Sequence, residues 1–391
     1  MGISGSVIVD APVEDVFAWY SRPGAFHRLA APWAPVELRT EAASLRDGAA
    51  VLDLPGGLRW VAQHDQEAFL PGRRFVDEGV ATGLRSAISG VLPWRHIHDF
   101  EPVGDNSTRV RDTIETPIPG LLLTELIAYR QRQLTGDLAA HRRAADHGMN
   151  ASTVAITGAS GLNRTDRSWE PDDPDPAALE GVDAVIHLAG ATIAGRFTPR
   201  HKELIASSRI EPTRLLSQAA ASAGVGTFVS ASAVGYYGKN RADETLTETS
   251  PPPPTADFLS NVVARWEQAA LTGESAGTRV VTVRTGIVQS PRGGTLKLLL
   301  PLFRAGLGGR LGSGTQWLPW IGIDDLVDIY HRCLWDLSLS GPVNAVAPGV
   351  VRNIDYTRAL AQVVHRPALL PVPAFGPALL LGREGAEELA M

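Results

Sequence analysis

The sequence predicts a doubly wound α/β domain on a parallel sheet over residues 153–368. Before it, residues 1–145 predict an α+β domain whose curved antiparallel sheet grips one long helix. Three observations carry this prediction. After residue 152, short apolar runs ending in small residues alternate with helical stretches. Before residue 145, strand-like runs follow one another across turn residues and end in a single long helical stretch. Between the two, residues 146–152 are small, polar and weakly patterned, as a linker is.

The 391 residues suffice for two or three domains, and 44% hydrophobic against 20% charged residues allow a sizeable core. A net charge of −6 argues against a nucleic-acid binder, which would show a basic face. The single cysteine, Cys333, excludes an intramolecular disulfide, suits a reducing compartment and sits in an apolar helical stretch as a core residue would. No basic start followed by an apolar run opens the chain. The apolar stretch 369–381 is broken by Pro371, Pro373 and Pro377, short of the roughly 20 apolar residues a bilayer span needs. A soluble, cytoplasmic protein is expected.

In the first domain, residues 4–9 alternate as a strand. Asp10 is expected to cap the next helix, with Pro12 in its first turn, where a missing N–H costs nothing. Val13, Val16, Phe17 and Tyr20 recur at helical spacing. Residues 58–64 and 95–100 read as strands, and 121–143 as a long helix turning Leu126, Tyr129, Leu134 and Leu138 to the core. Trp33, Trp60 and Trp94 are expected in the core or a cavity wall. His96 and His98 lie two apart on one strand and face the same side. Such a pair could bind a metal, but no third ligand is evident nearby, so a packed or solvated face is expected and no metal.

The strings Ala11-Pro-Val-Glu-Asp-Val-Phe-Ala-Trp and Arg22-Pro-Gly-Ala-Phe-His-Arg-Leu, in that element order, resemble the START-like, polyketide-cyclase-like (SRPBCC) superfamily. The resemblance spans residues 3–145. It implies a helix-grip fold with an apolar cavity and a hydrophobic ligand, while members differ in chemistry and the fold alone assigns none.

In the second domain an apolar strand runs from residue 152 into Gly158 and Gly161. In a dinucleotide fold the first glycine permits a tight turn and the second lets backbone approach a pyrophosphate, which rests on N–H groups at a helix N-terminus. Asp183-Ala-Val-Ile-His-Leu-Ala-Gly is a second buried strand, in which His187 reads as packed rather than basic. Residues 227–238 place Ser230 and Ser232 at the carboxyl end of a third, the edge where parallel sheets bind ligands. Residues 279–284 form a fourth, with helices over 213–223 and 261–271.

Thr157-Gly-Ala-Ser-Gly-Leu, His187-Leu-Ala-Gly-Ala, Ser230-Ala-Ser-Ala-Val-Gly-Tyr-Tyr-Gly, Trp266-Glu and Arg284-Thr-Gly-Ile-Val resemble the YfcH-like atypical extended short-chain dehydrogenases. So do Gly309-Arg-Leu-Gly-Ser-Gly, Trp317-Leu-Pro-Trp-Ile and Gly341-Pro-Val-Asn-Ala-Val-Ala-Pro, and the resemblance covers residues 153–391. It implies a Rossmann sheet binding NADP or NAD and a nucleoside-diphosphate-sugar epimerase activity. Gly158, Ala159, Ser160, Gly161, Leu162, Leu188, Ala189, Gly190, Arg209, Ser230 and Ala231 would then contact the cofactor. Residues 369–391 would begin a small carboxyl-terminal extension.

The chain departs from that pattern twice. A βαβ unit needs roughly 30 residues or more, yet Gly161 to Asp183 must hold the rest of the phosphate loop, a helix, a strand and a crossover. The fingerprint's third glycine, first helix and second strand are absent, and with them the residue that selects NADP over NAD. This gap, and an end at Glu387-Glu-Leu-Ala-Met without the family's last helix, predict that residues of the full molecule are missing from the sequence. Second, extended dehydrogenases use a Tyr-x-x-x-Lys pair for proton transfer, and the resemblance implies that its loss is shared with the YfcH-like family. Counting back from Glu267 puts Leu259 and Val263 at the pair's positions, and neither can move a proton.

By the same resemblance Ser232 keeps the catalytic serine's position, and Tyr236 or Tyr237 could supply an acid or serve only packing. Arg209 and Lys202 fall near the cofactor entrance or on a solvated helix face. Trp317, Trp320 and Arg310 could line a substrate pocket, Asp324 and Asp325 cap a helix, and residues 251–254 form a stiff proline loop. Two functions fit: an NAD(P)-dependent oxidoreductase or epimerase acting on a sugar nucleotide or apolar carbonyl compound, and a non-catalytic dinucleotide-binding regulatory protein.

Overall fold

Every second side chain is buried in the strands Arg95–Pro102 and Thr108–Glu115, the alternation of a sheet with one face against a core. The computed structural model describes residues 2–149, 152–158, 170–239, 241–255, 257–368 and 371–372. The chain forms two compact units, Met1–Asp146 and His147–Met391.

The first unit runs β1 (Gly2–Val9), α1 (Val13–Ser21), α2 (Ala25–Leu29), β2 (Glu37–Thr40), β3 (Ala49–Asp53), β4 (Arg59–His64), β5 (Arg74–Gly79), α3 (Ala87–Val91), β6 (Arg95–Pro102), β7 (Thr108–Glu115) and α4 (Thr124–Asp146). Its seven strands make one antiparallel sheet in the order β1-β7-β6-β5-β4-β3-β2. Helices α1 and α2 fill the link from β1 to β2, so β1 closes on β7 at the far end. The core gathers Val9, Val16, Tyr20, Phe75, Phe100 and Val110 with Leu134 and Leu138 of α4.

Three local expectations are corrected. Asp10 does not cap α1; Pro12 itself stands at the cap and no side chain bonds the helix end. The long helix starts at Thr124, after a 3₁₀ turn at Gly120–Leu122 that leaves Leu121 and Leu122 exposed. Trp33 is 46% exposed, edge-on to Tyr129 at 5.2 Å, while Trp60 and Trp94 pack against each other at 6.0 Å, half-buried.

The second unit runs β8 (Val154–Thr157), β9 (Ala184–His187), α5 (Pro199–Ser207), α6 (Ile210–Ser222), β10 (Thr227–Ala233), α7 (Phe258–Ala270), β11 (Arg279–Thr285), β12 (Ile287–Gln289), α8 (Gly294–Arg304), β13 (Trp317–Leu318), β14 (Trp320–Gly322), α9 (Ile323–Trp335), β15 (Gly341–Ala345), β16 (Val351–Arg352) and α10 (Asn353–Val363). Five parallel strands order as β15-β11-β10-β9-β8; β12 pairs with β14 and β13 with β16. One face packs Phe228 and Val280 against Leu216 and Ala220 of α6 and Ala270 of α7. The other packs Val229, Val281 and Val283 against Leu326 and Cys333 of α9. Burial on both faces is what a parallel sheet with helical crossovers requires.

Strands β8 and β9 pair directly, Val154 with Ala184 through Thr157 with His187. Among the described residues between them stands one 3₁₀ turn, Pro176–Leu179, and β8 forms the sheet's edge with Ile156 51% exposed. Asp324 and Asp325 do not cap α9, whose cap position is Gly322. They lie in its first turn, where their charge meets the helix's positive end.

Candidate functional site

Parallel pairing brings the carboxyl ends of the five strands to one edge: Thr157, His187, Ala233, Thr285 and Ala345. Gly158, the first residue past β8, has φ of +84°, and a Cβ there would sit 2.5 Å from Ala189 N and Leu188 C. Only glycine permits that contact between the turns leaving β8 and β9. Leu188 and Gly190 are exposed and Ala189 is half-buried. Ala159, Ser160, Gly161 and Leu162 lie outside the described residues.

Arg209, the residue before α6, folds back across this edge. A Cβ on Gly190 would lie 2.9 Å from its Cζ, so the missing side chain makes room for the guanidinium. Arg209 lies over the Trp266 ring at 5.3 Å and donates to Ile205 O at 3.2 Å, and burial lowers its pKa. Lys202 stands farther out, its Nζ 5.1 Å from the centre of the Phe258 ring. Beneath the edge His187 is fully buried, its ring nitrogens 2.6 Å from Thr157 Oγ1 and 2.9 Å from Thr213 Oγ1. Burial drops its pKa to about 4. It is a neutral packing residue tying β8, β9 and α6 together.

On β10, Ser230 and Ser232 share the face that α7 covers. Ser230 Oγ donates to Ala231 O at 3.0 Å, and Ala231 is half-buried. Ser232 sits at the carboxyl end as expected, but its hydroxyl donates inward to Glu267 Oε1 at 2.5 Å. Glu267 also receives Arg284 Nε at 2.9 Å and Nη2 at 2.8 Å, a bidentate pair with both residues buried. Arg284 Nη1 donates to Tyr237 O–H at 3.0 Å and Glu248 O at 3.2 Å. Tyr237 in turn donates to Asn344 Oδ1 at 2.6 Å, and the Arg284 Cζ lies 3.5 Å from the centre of the Tyr236 ring. Burial works to lower the Arg284 pKa, but Glu267 and Tyr237 outweigh it and raise it.

The Glu267–Arg284 pair was not anticipated as a site. Its sequence signal is a carboxylate on the apolar stripe of α7 with Val263 and Trp266, and an arginine inside the buried strand β11. Two opposite charges in two buried elements must find each other. Leu259 and Val263 lie on α7, half-buried and buried. Each of the other candidates has a donor engaged within the fold. Trp317 Nε1 donates to Asp243 at 3.0 Å, Trp320 Nε1 to Gly349 O at 2.8 Å, and Arg310 to Gly312 O.

In the first unit the expectation that His96 and His98 lack a further ligand is corrected. Both are buried and face Asp77 and Asp112 from neighbouring strands.

Crossover helices on both faces of a parallel sheet, with a glycine turn at its carboxyl edge, define a Rossmann-type α/β protein. The chain belongs to the NAD dependent epimerase/dehydratase family, whose model matches residues 170–344. Epimerase family protein Mb2239 of Mycobacterium bovis is 40% identical over 255 residues, 64% of this chain and 82% of that protein. Epimerase family protein ML0860 of Mycobacterium leprae is 38% identical over 255 residues, 64% of this chain and 81% of that protein. The crystal structure of the nucleoside-diphosphate sugar epimerase from Corynebacterium glutamicum superposes with a TM-score of 0.81 at 37% identity, covering 99% of this chain and 90% of that one. Human epimerase family protein SDR39U1 (isoform 2), crystallised with NADPH, gives a TM-score of 0.53 at 30% identity over 65% of this chain and 85% of that one.

Proposed function

We propose that the second unit binds NADP or NAD along the carboxyl edge of its sheet and acts as an oxidoreductase or epimerase on a small carbonyl-bearing substrate, a sugar nucleotide or an apolar carbonyl compound. The contact of Gly158 with Leu188 and Ala189 carries the reading: it makes a backbone turn with no side chain in the way, as a pyrophosphate needs. Leu188, Ala189, Gly190 and Arg209 would flank the cofactor, Ala159 to Leu162 continuing the loop by sequence, and Ser230 and Ala231 lining it from β10. Bound there, the nicotinamide supplies a hydride acceptor and donor. NADPH in the human relative supports the cofactor class.

Of the two catalytic candidates Ser232 and Tyr236, the proposed proton-transfer group is Tyr236, with Ser232 acting behind it through Glu267. Tyr236 is half-buried with its ring against Arg284, which makes it the hydroxyl to offer a substrate oxygen. Ser232 holds Glu267 and, through it, Arg284 under that ring. Titration with NADPH and NADH followed by fluorescence tests the binding; failure of both to bind overturns the reading. Tyr236→Phe is expected to keep cofactor affinity and lose turnover.

The second reading is a non-catalytic dinucleotide-binding regulatory protein. Leu259 and Val263 on α7 favour it, as do the Ser232 and Tyr237 hydroxyls already committed to Glu267 and Asn344. Binding with no hydride exchange across a panel of carbonyl and sugar-nucleotide substrates would select it. The first unit's sheet and long final helix support the START-like helix-grip reading, in which a hydrophobic ligand would lie between the sheet and α4.

A further inference from the structure

Strand pairing in the first unit gathers four ionisable groups on one buried sheet face. Asp77 of β5 lies opposite His96 of β6, and Asp112 of β7 lies opposite His98. Directly opposed side chains stand about 5 Å apart at Cβ, within reach of a shared ion. His96 is 5% exposed, His98 2% and Asp112 1%, while the Asp77 side chain keeps 15% of its surface open to solvent. Phe75 stacks on the His98 ring at 4.1 Å and Tyr20 lies 5.8 Å from it, while His64 of β4, opposite Asp77, and Arg130 of α4 are the further charge-bearing groups that act on this face.

The two carboxylates hold the imidazoles differently. Asp112 Oδ1 accepts from His96 Nε2 at 3.1 Å and stands 2.8 Å from His98 Nδ1. That second contact lies off the line of a hydrogen bond but within ion-pair distance of the buried His98 Nδ1. Asp77 Oδ2 stands 3.7 Å from His96 Nδ1 and 3.5 Å from His98 Nε2, beyond the usual N–H···O range. Ligands bonded at about 2.0–2.1 Å around a tetrahedral ion stand roughly 3.3–3.4 Å from each other. The Asp77 distances exceed that spacing by a few tenths of an ångström, which a small inward movement of the ligands closes; the Asp112 distances are those of a carboxylate orienting a ligating histidine through its other nitrogen. The Arg130 charge acts on Asp112 and both imidazoles, and the imidazoles of His96, His98 and His64 act on Asp77.

We propose that Asp77 Oδ2, His96 Nδ1 and His98 Nε2 bind one divalent transition-metal ion of the zinc class, with Asp112 behind both histidines. The three ligand atoms lie within 4.8 Å of one another. Two histidines and one carboxylate leave a fourth position for water or a ligand oxygen, the form of a reactive rather than a sealed structural site. The partly open side of Asp77 gives the ion its entry.

The test uses the full chain carrying no histidine tag, stripped with a chelator and titrated with Zn²⁺ by calorimetry and with Co²⁺ by visible absorption. One equivalent per chain with tetrahedral Co²⁺ bands is expected, along with a higher melting temperature in Zn²⁺. Asp77→Asn and His98→Ala are expected to lower affinity by at least about tenfold, and Asp112→Asn by about 10–100-fold. Asp77→Asn keeps the side-chain shape at a partly open position, so it tests the site even where His98→Ala fails to fold. An absence of stoichiometric binding, or binding that Asp77→Asn leaves unchanged, overturns the proposal.

Discussion

Ser232 and Glu267 meet through a 2.5 Å hydrogen bond in which the serine hydroxyl donates to the carboxylate, at the carboxyl end of the strand where a substrate contact was expected. Among the described residues, the serine and Arg284 together solvate the buried glutamate. A group committed in this way acts through the residue it holds.

Truncating Glu267 therefore strands Arg284. Removing one partner of a buried ion pair costs about 3–5 kcal/mol, and Glu267→Ala is expected to fall in that range by urea unfolding. Replacing both residues with apolar ones of similar size is expected to cost less than the single change. An additive double variant would refute the coupling.

Ser232→Ala removes a hydrogen bond to a charged group, worth about 1.5–3 kcal/mol. The same change is expected to leave NADPH affinity within about twofold, because the hydroxyl points to Glu267 and away from the edge. A large loss of cofactor affinity at unchanged stability would show that the hydroxyl turns outward when cofactor binds.

Gly158→Ala puts a methyl group into backbone 2.5 Å away and asks alanine to adopt φ of +84°. The strain exceeds about 1 kcal/mol, and the turns after β8 and β9 must separate to relieve it. Dinucleotide affinity is expected to fall by at least about tenfold, 1.4 kcal/mol, with the first unit's melting unaffected. Unchanged affinity by fluorescence titration would count against the edge as the binding place.

His187, with its pKa lowered to about 4 by burial, takes up a proton on unfolding wherever the pH lies between that value and the ordinary 6.5. The unfolded state binds more protons in that window, so stability rises with pH there and its contribution is complete above 6.5. Unfolding free energies measured from pH 4 to 7 are expected to climb more steeply in the parent chain than in His187→Gln. Parallel slopes would place the proton uptake elsewhere.

What the sequence shows best is local. The apolar runs of β8, β9, β10 and β11 and the helices between them are visible because burial on both faces of a parallel sheet leaves an unbroken apolar signal. Gly158 is visible because a turn needs it. The pairs are not. His96 and His98 share a strand and are seen at once, whereas Asp77 and Asp112 reach them only through the register of β5 and β7. Glu267 and Arg284 stand on a helix and a strand whose contact no spacing rule encodes. Asp10, Asp324 and Asp325 show the converse: residues with capping chemistry that the helices begin without, because Pro12 and Gly322 already occupy those ends.

Cys333 is fully buried against the sheet, and desolvation pushes its thiol up to about 11. A thiol in that state does not ionise or meet reagents while α9 is seated. As the one cysteine of the chain, it makes the protein its own clock for opening: every alkylation event counted by mass records a moment when the second unit has come apart.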